Sequence, residues 1–386
     1  VGNIAADMDL DRLANLQELI KEQTESGYYY GAAIKVARHG ETVLDLAEGF
    51  ADKDRTQPIR TDSVFSVFSI TKCFINVLTL RAIELGRFSL TTRMSELIPE
   101  FSGAPRDRAT IFHFLTHTTG MPGVWEPKSG LMLDELEDAV SAVIEFIHGK
   151  QEPGERCDYA PMANHTLLAE VLRRTDPAKR SIQQILIEDL FEPLGMTDTN
   201  LGIKPHMRDR HVIPDMRGTV PITSPSRTSP GENGLYTAES NGCTWAGGAS
   251  TTGDLQKLME MLRRGGTAAN GTRVLSPGTV ELARQVWTGD LPNELYKTVA
   301  LQRGYAVPPA AIGLGFNVRG EGVFVTQLGN LTSPQTFGNY GAGTGLVWVD
   351  PVRDISFVGL SAGLLSQSEN ILRYQKISDM VAAAAL

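Results

Sequence analysis

The sequence predicts an α/β (α+β) sandwich, an antiparallel sheet built from both termini and covered by helices, with a mainly helical lobe inserted between its halves. Three observations carry this reading. Strand-like runs occur near the N-terminus, more of them fill the C-terminal third, and helical spacing dominates the stretch between. A chain of 386 residues fits two lobes, placed at 1–68 plus 246–386 for the sheet and at 69–245 for the helices, with the active site in the cleft between them.

Taken in order, Leu10, Leu13, Leu16, Leu19 and Ile20 recur at helical spacing and predict an amphipathic helix over 7–26. Two short apolar runs around His39 and Gly40 predict a β-hairpin. From about 70 to 210 the pattern is mostly helical, broken at Pro99, Pro122, Pro153-Gly154 and Pro193. Residues 214–245 are rich in Pro, Ser, Thr and Gly without periodicity, which marks a functional loop or lobe connection. A helix at about 252–265, strands at 312–318, 322–328, 344–350 and 354–360, and a last helix at about 367–384 complete the chain.

Composition narrows the function. Hydrophobic residues make up 41% and charged residues 21%, which excludes wholesale disorder. Lys plus Arg number 36 against 45 Asp plus Glu, a net charge of −9, and the basic pairs Arg173-Arg174 and Arg263-Arg264 form no stripe. Electrostatically driven nucleic-acid binding is therefore not expected. The three cysteines, Cys73, Cys157 and Cys243, include no CxxC pair, so neither a disulfide framework nor a Cys-based zinc site is expected. No apolar run approaches the roughly 20 residues of a membrane span, and the acidic start, Val1 to Leu13, lacks a signal-peptide plan. The expectation is a soluble cytoplasmic protein, with an N-terminal segment removed earlier left open because the chain starts at Val.

The strongest local signal is SVFSITK over 66–72, followed by an almost wholly apolar run to Gly86. It predicts a buried helix stopped by that glycine, with Ser69 at its entry and Lys72 three positions on, on the same face. A hydroxyl there faces the positive end of the helix dipole and unpartnered N–H groups. A lysine in apolar surroundings loses its proton near neutral pH and can act as base to the serine.

S-x-x-K alone is a short pattern that chance supplies often. Further matches stand in order around it: LTHTTGMPG over 115–123, PLGMTDT over 193–199, AGGASTTGD over 246–254, FGNYGAG over 337–343 and VWVDP over 347–351. Together, from about residue 30 to 362, the chain resembles the serine β-lactamase and penicillin-binding-protein superfamily. Within it, the likeness is to the class C β-lactamase-like proteins that include family VIII carboxylesterases.

The resemblance implies the β-lactamase-like fold and an acyl-enzyme mechanism with Ser69 as nucleophile and Lys72 as base. It also implies that Tyr159, in PGERCDYAP over 153–161, serves as proton shuttle in place of the family's Tyr-x-Asn. Pro161 stands where the Asn would be and offers no amide. The third family element, Lys-Thr-Gly or His-x-Gly, is here Asn339-Tyr340-Gly341, which has no cation; without the resemblance, Gly338 to Gly345 reads as a Gly-rich strand end or turn. Gly341 permits close approach, and the Ala342 N–H joins that of Ser69 as the expected oxyanion hole. Asn339, Tyr340, Gly341, Trp125 and Trp245 are the expected substrate contacts, with loop 214–245 and region 285–312 as pocket walls.

Other constellations are weaker. GLSAG over 359–363 matches the nucleophile elbow, but that fold needs a later histidine, and the last here is His211. His113 and His117 have i, i+4 spacing, yet Phe114 replaces the glutamate base, so no metal is expected. Asp45, Asp52 and Asp54 read as solvated surface. No cofactor is expected, since neither a P-loop nor a dinucleotide fingerprint occurs.

The expected function is a serine esterase of the SxxK type acting on an uncharged small-molecule ester, since the altered second and third motifs argue against efficient β-lactam hydrolysis. An acyltransferase to a bulky alcohol and a small-amide or peptide hydrolase use the same residues, and an amide is an alternative substrate. A silent binding or structural protein on the same fold is the non-enzyme alternative. No nucleic-acid or membrane partner is expected, and a homo-oligomer is left open.

Overall fold

A computed structural model describes residues 3–219 and 224–386. Six antiparallel strands form the main sheet in the order Glu41–Gly49, Gly31–Arg38, Ile355–Ala362, Gly345–Asp350, Phe337–Gly341, Asn317–Val318. The N-terminal hairpin is zipped to the C-terminal strands through Gly31↔Ala362 to Arg38↔Ile355, so the sheet draws on both ends of the chain.

Strands Gly345–Asp350 and Ile355–Ala362 are buried at every residue. Their period of two divides the side chains between layers. Val347, Val349, Val358 and Leu360 face one apolar cluster that reaches Ile70, Phe74 and Leu255. Leu346, Trp348, Ile355 and Phe357 face the other, with Leu13, Leu16 and Ile20 of helix Leu10–Glu25 and Ile377 and Val381 of helix Gln367–Ala383. Helix Thr252–Arg263 packs on the first of these faces.

A small sheet orders Asn200–Leu201, Gly248–Ser250, Val64–Ser66 and His211–Val212. Between its strands the chain is mainly helical, including Lys72–Glu84, Leu136–Phe146 and Pro161–Thr175. Pro161 opens the last of these, where its missing N–H would have had no helical partner.

Two sequence expectations need correction. The apolar alternation over 322–328 forms no strand: Phe324 N–H is taken by the Asn330 side chain and Thr326 N–H by Gln375, so side chains replace the ladder. The strand expected at 312–318 is only Asn317–Val318. Gly338 to Gly345 holds the end of strand Phe337–Gly341 and the turn into Gly345–Asp350, in keeping with a strand end or turn, and a Cβ on Gly338 would lie 1.9 Å from Val347 O. Glycine there serves close backbone approach. In loop 214–245, residues 220–223 lie outside the described residues, and Gly234–Thr237 forms a short helix.

Candidate active site

Ser69 lies in the 3-10 turn Phe68–Thr71, which runs directly into helix Lys72–Glu84. Several contacts pin this turn. Val67 N–H donates to Gly248 O at 2.9 Å, Gly248 N–H to Thr71 Oγ1 at 2.9 Å, and Thr71 Oγ1 to Phe68 O at 2.5 Å. Phe68 has φ +46°, a left-handed backbone that costs a residue with a Cβ. Its buried ring, 5.0 Å from that of Tyr236, helps hold this conformation. The helix ends as the sequence predicts, with Gly86 at φ +72°.

Lys72 is 3% exposed, and its Nζ donates to Ser69 O at 2.9 Å and to Tyr159 Oη at 2.6 Å. Tyr159 Oη in turn lies 2.8 Å from Ser69 Oγ as donor. The hydrogen bonds among these three side chains therefore run Ser69–Tyr159–Lys72, with the phenol between hydroxyl and amine. Burial pushes the Lys72 pKa down to about 7, against a smaller opposing pull from the Cys73 thiol. Burial also raises that of the Tyr159 phenol, which the Ser69 contact partly offsets.

His117 packs on the Tyr159 ring at 5.0 Å, and its Nδ1 accepts from the Asn164 amide at 3.0 Å. Burial and the nearby Lys72 lower its pKa to about 3, so it stays neutral across the ordinary range. His113 Nδ1 instead accepts from Thr110 N–H at 3.0 Å, within its own short helix.

Strand Phe337–Gly341 runs beside the nucleophile turn, for a Cβ on Gly341 would lie 2.6 Å from Val67 O. Asn339 and Tyr340 both line the recess beside Lys72 and Tyr159, but the Asn339 amide is already engaged. Asn339 is 2% exposed, donates to Cys73 Sγ at 3.2 Å and Gly315 O at 3.1 Å, and accepts from Asn317 Nδ2 at 2.8 Å. All these partners lie within the fold, so both amide hydrogens are in use. Tyr340 turns its ring to Tyr296, 5.9 Å away. Ala342 begins the turn into strand Gly345–Asp350.

One recess is lined by Lys72 and Tyr159, a second lies behind Trp125, and Ser69, 6% exposed, lines neither. The first, of about 420 Å³, is also lined by His117, Asn293, Leu295 and Ile312. The second, of about 580 Å³, is lined mostly by apolar groups including Trp125, Leu131, Leu235, Tyr236 and Trp245. Trp125 joins the second recess to the first, its ring lying 5.5 Å from that of Trp245 and 6.1 Å from that of Tyr159. Residues 293–312 and 224–245 thus each supply a wall.

Ser361 is 3% exposed and donates to Thr344 O at 2.9 Å, so its hydroxyl belongs to the sheet interior. Sequence reasoning passed over Asn76 and His165, whose side chains meet at 2.8 Å beneath the site, while Asn76 also holds Gly315 O at 2.6 Å. The i, i+4 spacing of Lys72 and Asn76 was the available signal. His165 and Gly315 gave none, because they arrive through tertiary contacts.

Over 116 residues the chain is 34% identical to "Esterase EstB" of Burkholderia gladioli, covering 29% of each protein. Over 222 residues it is 23% identical to "Protein flp" of Staphylococcus aureus (strain NCTC 8325 / PS 47), covering 55% of this chain and 43% of that protein. These alignments span less than half the length of the curated relatives. The fold superimposes with a TM-score of 0.75 on "EstCE1, a hydrolase with promiscuous acyltransferase activity", at 21% identity over 96% of this chain and 99% of that one. The Beta-lactamase family model matches residues 16–379, nearly the whole chain, and the protein belongs to that family.

Proposed function

We propose that the protein is a serine hydrolase that cleaves a carboxylic ester through an acyl-enzyme. The observation that carries this reading is the unbroken chain of Ser69 Oγ, Tyr159 Oη and Lys72 Nζ, with spacings of 2.8 and 2.6 Å. With Lys72 as the neutral amine, the Ser69 proton passes to the Tyr159 oxygen as the phenol proton passes to Nζ, and Oγ attacks the carbonyl carbon. The N–H groups of Ser69 and Ala342 hold the tetrahedral oxyanion. Collapse expels the alcohol, which takes its proton back along the same relay, and water repeats the sequence to release the acid.

An uncharged ester suits the site better than a carboxylate-bearing substrate. The third motif carries no cation, and Asn339 is engaged inside the fold. The apolar recess of Trp125, Tyr236 and Trp245 suits an apolar acyl group.

The test is hydrolysis of p-nitrophenyl acetate and butyrate by the wild type and by Ser69→Ala, with fluorophosphonate labelling mapped by peptide mass. Turnover in the wild type alone, with the label on Ser69, is expected. Equal release by both proteins, or a label on Ser361, would refute the reading.

A further inference from the structure

The turn joining strands Phe337–Gly341 and Gly345–Asp350 is held from two sides. On one side, a Cβ on Gly341 would lie 2.6 Å from Val67 O and one on Gly345 would lie 2.8 Å from Ile70 Cδ1. Both ends of the turn therefore rest against the segment that carries Ser69. On the other side, the Thr344 carbonyl accepts from Tyr374 Oη at 2.7 Å, Ser361 Oγ at 2.9 Å and Arg373 Nη2 at 3.3 Å. The same Arg373 nitrogen donates one hydrogen to Asn370 Oδ1 at 2.7 Å, and its other is shared between Ser361 Oγ at 3.0 Å and the Thr344 carbonyl. Leu365 N–H meets Gly343 O at 3.1 Å.

Arg373 is unusual in this setting. It is 5% exposed, and among the described residues no carboxylate lies within 4.0 Å of its guanidinium. The guanidinium lies 4.4 Å from the Tyr374 ring centre and 4.5 Å from that of Tyr29. A buried cation without an anion is unfavourable for folding. What it supplies here is a planar donor fixed between two aromatic faces and directed at a carbonyl in the turn.

We propose that Arg373 is a positioning residue for the oxyanion site. With Tyr374 and Ser361 it fixes the Thr344 carbonyl. Through the short turn 342–344, clamped again at Gly343, it fixes the direction of the Ala342 N–H. This rests on the reading of that N–H as the second oxyanion donor. A donor displaced by even about 1 Å loses much of its effect on the transition state, whereas substrate binding in the apolar recess does not depend on it.

The experiment measures kcat and KM for p-nitrophenyl butyrate, inhibition by butylboronic acid, and Tm, in the wild type, Arg373→Met, Arg373→Lys, Tyr374→Phe and Ser69→Ala. Arg373→Met is expected to lower kcat by about 10- to 100-fold, with KM changed less than about threefold. Boronate affinity should fall in parallel with kcat, because its tetrahedral adduct needs the same N–H groups, and Arg373→Lys should recover part of both. A folded Arg373→Met with kcat and boronate affinity within about threefold of wild type overturns the proposal. If Arg373→Met does not fold, Tyr374→Phe decides: a lower kcat at retained Tm supports the clamp, and an unchanged kcat overturns it. A wild type no faster than Ser69→Ala removes the hydrolase reading, and this proposal with it, which is a different and recognisable failure.

Discussion

The pH dependence of turnover is the sharpest consequence of a buried amine at the end of the relay. Only neutral Lys72 can accept the proton that leaves Ser69. With its pKa lowered to about 7 by burial, about one molecule in eleven carries the neutral amine at pH 6 and about ten in eleven at pH 8. An ordinary lysine, at 10.5, would supply only about one in three thousand at pH 7. The assay is kcat/KM for p-nitrophenyl acetate from pH 5 to 9, corrected with Ser69→Ala. The expected profile rises about tenfold per pH unit on its acid limb and levels off above about pH 8. His117, held near 3, cannot produce that limb. A flat profile, or one still rising tenfold per unit at pH 9, would refute the assignment of Lys72 as base. Stability follows the same linkage. Between about 7 and 10.5 the unfolded chain holds a proton that the folded chain has lost, so stability rises with pH across that window. Lys72→Met should therefore abolish turnover yet raise Tm, with a larger gain at pH 6 than at pH 9 and a ceiling on the order of 3–5 kcal/mol.

Tyr159→Phe removes the oxygen that stands 2.8 Å from Ser69 Oγ and 2.6 Å from Lys72 Nζ while keeping the ring between His117 and Trp125. It should lower kcat by about 10²- to 10⁴-fold with little change in Tm, and a kcat within about threefold of wild type would speak against the relay. Gly341→Ala places a methyl 2.6 Å from Val67 O, a backbone atom that cannot step aside. It should cost about 1–3 kcal/mol of stability and at least roughly tenfold in kcat. Thermal melts and butyrate hydrolysis check both effects, and an unchanged protein would show that the strand does not press on the nucleophile turn.

The catalytic candidates were legible in the sequence where their relation is local. Ser69 and Lys72 stand three residues apart at the start of an apolar run closed by Gly86, and the geometry of one helical turn brings the Lys72 amine to the Ser69 carbonyl. Tyr159 is 87 residues from Lys72, and no spacing rule joins them. Its place came from resemblance to a family pattern, and that pattern's missing Asn gave no warning that Asn164 would reach in to His117.

Strands near the third motif were hard to place from pattern for a physical reason. Glycine lowers intrinsic strand preference, so 337–341 drew no strand assignment from pattern alone, yet Gly338 is what lets the backbone approach Val347. The better-patterned 322–328 found Asn330 and Gln375 side chains instead of a neighbouring strand. Asn339 shows the same division: its identity announces a donor, but only the strand's pairing decides that the amide meets Cys73 and Gly315 rather than a substrate.

By itself, then, the sequence determined the amphipathic outer helices, the N-terminal hairpin, the buried helix after Ser69 and the absence of a cation in the third motif. These follow from residue type and near-neighbour geometry. The tertiary structure alone decided that the phenol lies between hydroxyl and amine, that the Asn339 amide is engaged within the fold, and that buried Arg373 reaches the Thr344 carbonyl in the turn beside the nucleophile. Each of these depends on which distant segments pack together, and desolvation and hydrogen-bond satisfaction are settled only by that packing.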